Sequence, residues 1–153
     1  MTSIEDLYAA ELPTRLQTFS ALAAAGALDT LLAALRHDEL EVRWRAVVAL
    51  GWLGDARAVE ALAGLLPGAP YEIKINAVWA LGQIGDQRAV DTLLTLIHAE
   101  DAFDPDVAYN AALALLRLGV PAPLQQNVAQ ATGDYAFRVA HAALASWNYL
   151  EKS

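Results

Sequence analysis

The chain has 153 residues, 56% of them hydrophobic and none cysteine, which fits one domain with a sizeable core and excludes disulfides, thiolate zinc sites and cysteine nucleophiles. Its formal net charge is −8 with ten scattered Lys and Arg, and such a chain is repelled by phosphate unless its bases gather in one patch, so nucleic acid is disfavoured. No apolar run reaches the ~20 residues of a membrane helix, and Met1 to Asp6 lacks a charged-then-apolar signal pattern, so a cytoplasmic protein without membrane contact is expected.

The elements follow an internal repeat. Residues 1–39 read as an N-terminal capping unit, with Leu16, Phe19 and Leu22 in core positions and Ala27-Leu28-Asp29-Thr30-Leu31 set one period before Ala58. In the first central repeat, 40–70, apolar residues at Val42, Ala46, Ala49, Leu50 and Leu53 follow helical spacing. Gly54 suits a left-handed helix end and Asp55 the N-cap of a second helix carrying Val59, Leu62, Leu65 and Leu66. Pro67, Gly68 and Pro70 break the chain before the next unit.

The second repeat, 71–104, keeps this order: Val42 to Asp55 recurs as Ile73 to Asp86, so Gly51 aligns with Gly82 and Asp55 with Asp86. Arg57-Ala58-Val59-Glu60-Ala61-Leu62 becomes Arg88-Ala89-Val90-Asp91-Thr92-Leu93. The third repeat, 105–134, starts from Asp104-Pro105, a cap and a first-turn proline. Its copy, Val107 to Gly119, follows the second at a longer offset than the second follows the first, so the loop between them is longer. A final shift sets Val139, Ala143, Leu144, Trp147 and Leu150 in core positions of a C-terminal capping helix, 135–153. One such hairpin cannot bury its apolar stripe, so neighbours stack on one continuous core.

The pattern V-R-x-x-A-A-x-A-L-G-x-I-G-D followed by A-V-x-x-L, strongest over residues 40–118, resembles HEAT repeats of the phycobilisome-lyase type. It is also similar to artificial repeat proteins built on that consensus, although degenerate ends and unequal loops argue for a natural sequence. The resemblance implies an all-α fold: a right-handed α-solenoid of about four to five HEAT-like helix pairs with a ~31-residue repeat. It also implies that the variable positions of each first helix line a concave face that meets the ligand.

At ~100° per residue, Trp44, Val48 and Trp52 fall opposite the core stripe of their helix. Their equivalents are Ile75, Trp79 and Gln83, then Tyr109, Leu113 and Arg117, then His141, Ala145 and Tyr149. Tryptophan, tyrosine and arginine dominate interface hot spots, so this aromatic stripe is the expected partner-binding face. Glu41, Arg45, Glu72, Asn76, Asp106 and Asn110 flank it as a polar rim, or stand as ordinary solvated first-turn residues. The competing reading has the rings packing on neighbouring repeats and thickening the core.

Candidates for chemistry are few. His37 and His98 fall at matching ends of second helices, where a cationic ring suits the dipole, and are too far apart to share a metal. His141 is the histidine on the binding row. Asp29, Glu60 and Asp91, with Arg57 and Arg88, make a solvated charge ladder. The acidic loop from Glu100 to Asp106 lacks the alternating ligands and central glycine of a calcium loop; it reads as a solvated connector, or as a recognition loop with Phe103 as anchor. Ser146 and His141 fall on different helix faces, and no metal or catalytic site is expected.

The expectation is a non-catalytic protein-binding scaffold or adaptor without a cofactor. Its partner is another protein, gripped as a helix or extended segment, with basic groups favoured opposite the acidic surface, rather than a small-molecule substrate. The alternative implied by the resemblance is a bilin lyase subunit or a tetrapyrrole or phycobiliprotein chaperone, with bilin stacked on the aromatic row.

Overall fold

A computed structural model describes residues 21, 25, 27–98, 105–129 and 135–150. Its α-helices are α1 (Leu28–Ala34), α2 (Leu40–Leu53), α3 (Val59–Leu65), α4 (Tyr71–Ile84), α5 (Val90–His98), α6 (Pro105–Arg117), α7 (Ala122–Ala129) and α8 (Tyr135–Leu150). Single 3₁₀ turns at Ala56–Ala58 and Gln87–Ala89 lead into α3 and α5, and there is no strand among the described residues. Leu16, Phe19, Leu22, the Glu100–Asp104 loop with Phe103, and the side chains of His98, Tyr149 and Leu150 lie outside the described residues.

Long and short helices alternate, and local chemistry sets their ends. Both α2 and α4 stop at a glycine in the left-handed region, Gly54 at φ 69° and Gly85 at φ 72°. Their N–H groups reach back to the carbonyls of Leu50 and Leu81, satisfying acceptors that the helix end leaves open. Asp55 and Asp86 follow, and each carboxylate accepts the backbone N–H two residues on, at 2.9 Å. Pro70 caps α4 and Pro105 opens α6, where a missing N–H costs no helical bond.

The long helices α2, α4, α6 and α8 stack in sequence as one row, and each short helix packs on the long helix that follows it. This two-layer arrangement is an α-solenoid. One continuous core runs through it, with Leu31, Leu50, Leu62, Ile73, Leu81, Leu93, Ile97, Leu115 and Leu124 fully buried. The expected stripe Val42, Ala46, Ala49 and Leu50 is buried, with Leu53 half-buried. Val47, Val78 and Ala112, on the flank of that stripe, are buried as completely, because a stacked helix has neighbours on its flanks as well as behind it.

Small residues set the spacing of the row. A Cβ on Gly51 would stand 3.0 Å from both Cα and Cβ of Ala80, and one on Gly82 would stand 2.9 Å from Cβ of Ala114. By the repeat offsets, Gly51 and Gly82 align with Leu116 in the next long helix, where the glycine is not kept.

Candidate functional site

The expected binding row forms one surface of the long-helix layer, and its burial is graded along the helices. Trp44, Ile75 and Tyr109 on the first turns, and Val48, Trp79 and Leu113 one turn on, are half-buried. Trp44, Ile75, Trp79, Tyr109 and Leu113 pack against the core. Trp52, Gln83 and Arg117 at the last turns of α2, α4 and α6 are exposed, and so is His141 on α8. Exposure therefore differs from one position of the stripe to the next. Most of the aromatic row thickens the core, while Trp52 keeps 67% of its surface open.

Two contacts join neighbouring repeats toward the exposed end. Trp52 meets Trp79 edge to face, with ring centroids 5.5 Å apart and planes at 64°. Trp79 can lean this far because Gly51 has no side chain; a Cβ there would lie 2.6 Å from Cζ3 of the indole. Gln83 stands one turn beyond Trp79 on α4, and its Oε1 receives a long, 3.4 Å contact from Nη1 of Arg117 on α6. Arg117 also leans over glycine: its Cδ lies 3.9 Å from where a Cβ on Gly82 would be. The helical spacing placed the large residues on this face, but the seat that Gly51 provides depends on which helix stacks next, so the spacing alone did not reveal it.

The rim differs from expectation at Arg45. This residue is only 8% exposed. Its Nε and Nη2 both donate to Oε1 of Glu41, at 3.0 and 2.6 Å, and its guanidinium carbon lies 5.3 Å from the Trp44 ring centroid. An arginine one turn after a glutamate folds back onto it, so Arg45 braces Trp44 instead of reaching outward. Asn76 and Asn110 turn back likewise, each donating to the carbonyl four residues earlier, Glu72 and Asp106. The Asp106 carboxylate accepts from the Tyr71 hydroxyl of the preceding repeat, and the Tyr109 hydroxyl donates to Oγ of Ser146. His37 also differs: its Nδ1 accepts the backbone N–H of Glu39 at the start of α2.

The strongest electrostatic effects lie off this face, at the turns. Hydrogen bonds from the Arg57 guanidinium and backbone N–H hold the Asp55 carboxyl down at about 2, and the Arg88 guanidinium lowers Asp86 in the same way. Arg88 also donates to the carbonyl of Ala56 at 2.7 Å and reaches Glu60 at 3.7 Å, so part of the charge ladder ties one repeat to the next. On the short-helix side a groove of about 560 Å³ opens between α1 and α3, bordered by Leu32, Leu35, Arg36, Glu60, Gly64 and Leu65.

Among the described residues no group of three or more His, Asp or Glu is placed to hold a metal ion, and no helix is long and apolar enough to cross a membrane. At its exposed end the row presents an open indole, a primary amide and a guanidinium.

A search of curated proteins gives no match. Residues 13–73 and 64–146 match the family model described as HEAT repeats. With most of its length matched, and with a helical stack of the expected period, the chain belongs to the HEAT-repeat family.

Proposed function

We propose that this protein is a non-catalytic scaffold or adaptor that holds a partner protein across the exposed end of its long-helix row. The observation that carries this reading is Trp52. An indole left 67% open on an otherwise well-packed helix exposes much apolar area, and tryptophan at a surface contributes more to protein interfaces than most residues, because it buries a large area while freezing few rotamers. Trp79 supports it from behind and fixes its edge. HEAT repeats commonly act as interaction scaffolds, which agrees with this use of the face.

Affinity capture from the source cell, with wild type and Trp52→Ala as baits, tests the reading. The expected result is loss of the main captured partner with Trp52→Ala while the variant keeps its helical circular dichroism. Capture of the same partner in equal amount by both baits would overturn it.

The phycobilisome-lyase resemblance supports a second reading, a bilin lyase subunit or tetrapyrrole chaperone, because an open indole face can also stack on a flat conjugated ligand. Titration with a bilin separates the two. Quenching of tryptophan emission with a shift in bilin absorbance favours the pigment, and an unchanged spectrum removes it.

A further inference from the structure

The proposed binding face carries a charge that no described acid of the protein matches. Arg117 is exposed, and no carboxylate lies within ion-pair distance of it among the described residues. Arg45, Arg57 and Arg88 are each matched to an acid of their own or the neighbouring repeat; Arg36, Arg43 and Arg138 share with Arg117 the lack of such a match among the described residues, but of these four Arg117 is the one that stands on the expected binding row. The only side-chain hydrogen bond of Arg117 among the described residues is the 3.4 Å contact to Gln83, at the outer limit of a useful length. In a chain with 18 acids and ten bases, an exposed arginine on the same row as Trp52, with no ion pair among the described residues, is available for another molecule.

We infer that the partner is a peptide segment carrying a bulky apolar side chain for Trp52 and a carboxylate for Arg117. This deepens the proposed function and rests on the reading that this face binds a protein. Arginine presents parallel N–H donors that match a carboxylate in a two-point contact. A singly charged carboxylate also suits the site better than a phosphate, whose larger negative charge the net −8 of the protein would repel.

The spacing follows from the fold. Trp52 and Arg117 stand on α2 and α6, two steps along the row, and packed helices lie ~8–10 Å apart. The two contacts are therefore roughly 16–20 Å apart, the reach of about five to six residues of extended chain at ~3.3 Å each. Gln83, between them, presents an amide that can pair with the backbone of a segment lying across α4.

A random peptide display library selected on the full-length protein tests this. The expected winners carry a bulky apolar residue and an Asp or Glu about five to six positions apart. A chosen peptide should bind Arg117→Gln about tenfold more weakly or worse, Arg117→Lys should retain part of the binding, and selection on Arg117→Glu should turn the acidic preference into a basic one. Winners without an acid at that spacing, or binding lost in Trp52→Ala yet unchanged in Arg117→Gln, overturn the carboxylate and leave the binding face standing. Winners indifferent to both positions, or no enrichment at all, overturn the inference together with the proposed face. A wild-type dimer by light scattering that dissociates in Trp52→Ala assigns the face to a second copy of the chain, and also overturns the inference.

Discussion

The indole of Trp79 lies against Gly51 of the preceding long helix, so close that a methyl group there would stand 2.6 Å from Cζ3. The same methyl would meet Cα and Cβ of Ala80 at 3.0 Å. Replacing glycine by alanine inside a helix gains ~0.8–1.0 kcal/mol of propensity, whereas overpacking a tight contact costs ~1–3 kcal/mol. The backbone at Ala80 cannot swing aside as a side-chain tip can, so overpacking prevails. Gly51→Ala is expected to lower stability in urea unfolding by about 1–2 kcal/mol and to change tryptophan emission. A raised midpoint would mean that α2 and α4 have room to separate.

Gly64→Ala should act in the opposite direction. Gly64 lies within α3, borders the open groove beside α1, and has nothing within 4 Å of where a Cβ would project. The substitution keeps the helical conformation and is expected to stabilise the protein by about 0.5–1 kcal/mol. A lower urea midpoint for this variant would show that the groove is tighter than described.

Leu50 and Trp52 are two residues apart on α2 and should respond differently to truncation. Leu50 is fully buried, so Leu50→Ala removes core contacts and leaves a cavity, at ~2–5 kcal/mol. Trp52→Ala gives up its ring contact with Trp79, ~0.5–1.5 kcal/mol, and little enclosed surface. Thermal denaturation of both variants checks the order; an equal or greater loss for Trp52→Ala would place Trp52 in the core and remove it from the binding face.

The Asp55 cap makes stability depend on pH in a defined window. Its carboxyl is held at about 2 by the Arg57 hydrogen bonds, below the ordinary value of ~3.9. The unfolded chain therefore binds this proton more readily, and the carboxylate contributes stability in full above the ordinary value. That contribution falls as pH drops towards about 2 and is lost below it. The difference in thermal midpoint between wild type and Asp55→Asn should be constant near neutrality, shrink over that window and vanish at its acidic end. A difference that persists at the acidic end would show that the charged form is not what stabilises the turn.

Much of this architecture is legible in the amino-acid order, because local rules act on neighbouring residues. Gly54 with Asp55 and Gly85 with Asp86 end one helix and begin the next through their own backbone and side chains, and the repeat period shows which positions are equivalent. What a helical wheel cannot resolve is burial by stacking. It assigns one face of α2 to the core, but contacts from the neighbouring repeats also bury Val47 and half-cover Trp44. The inward turn of Arg45 onto Glu41 was open to prediction from their one-turn spacing, yet its position suggested a rim residue. Trp52 and Arg117 were both on the expected row, and their distinction from the buried members comes from standing at the last turns of their helices.

Among the described residues, hydrogen bonds that join one repeat to another include Tyr71–Asp106, Gln87–Leu118, Arg88–Ala56, Tyr109–Ser146 and Arg117–Gln83, which connect residues 31 to 37 apart in the chain. Each spans a single interface, so mechanical load or thermal opening passes along the stack as along a line of coupled links, not through a shared centre. The glycine seats at Gly51 and Gly82 make two of those links close-fitting, while the aligned position in the next long helix holds Leu116 in place of glycine. Hydrogen exchange should then divide this protein by interface, with α8 able to exchange while the stack from α2 to α6 stays closed.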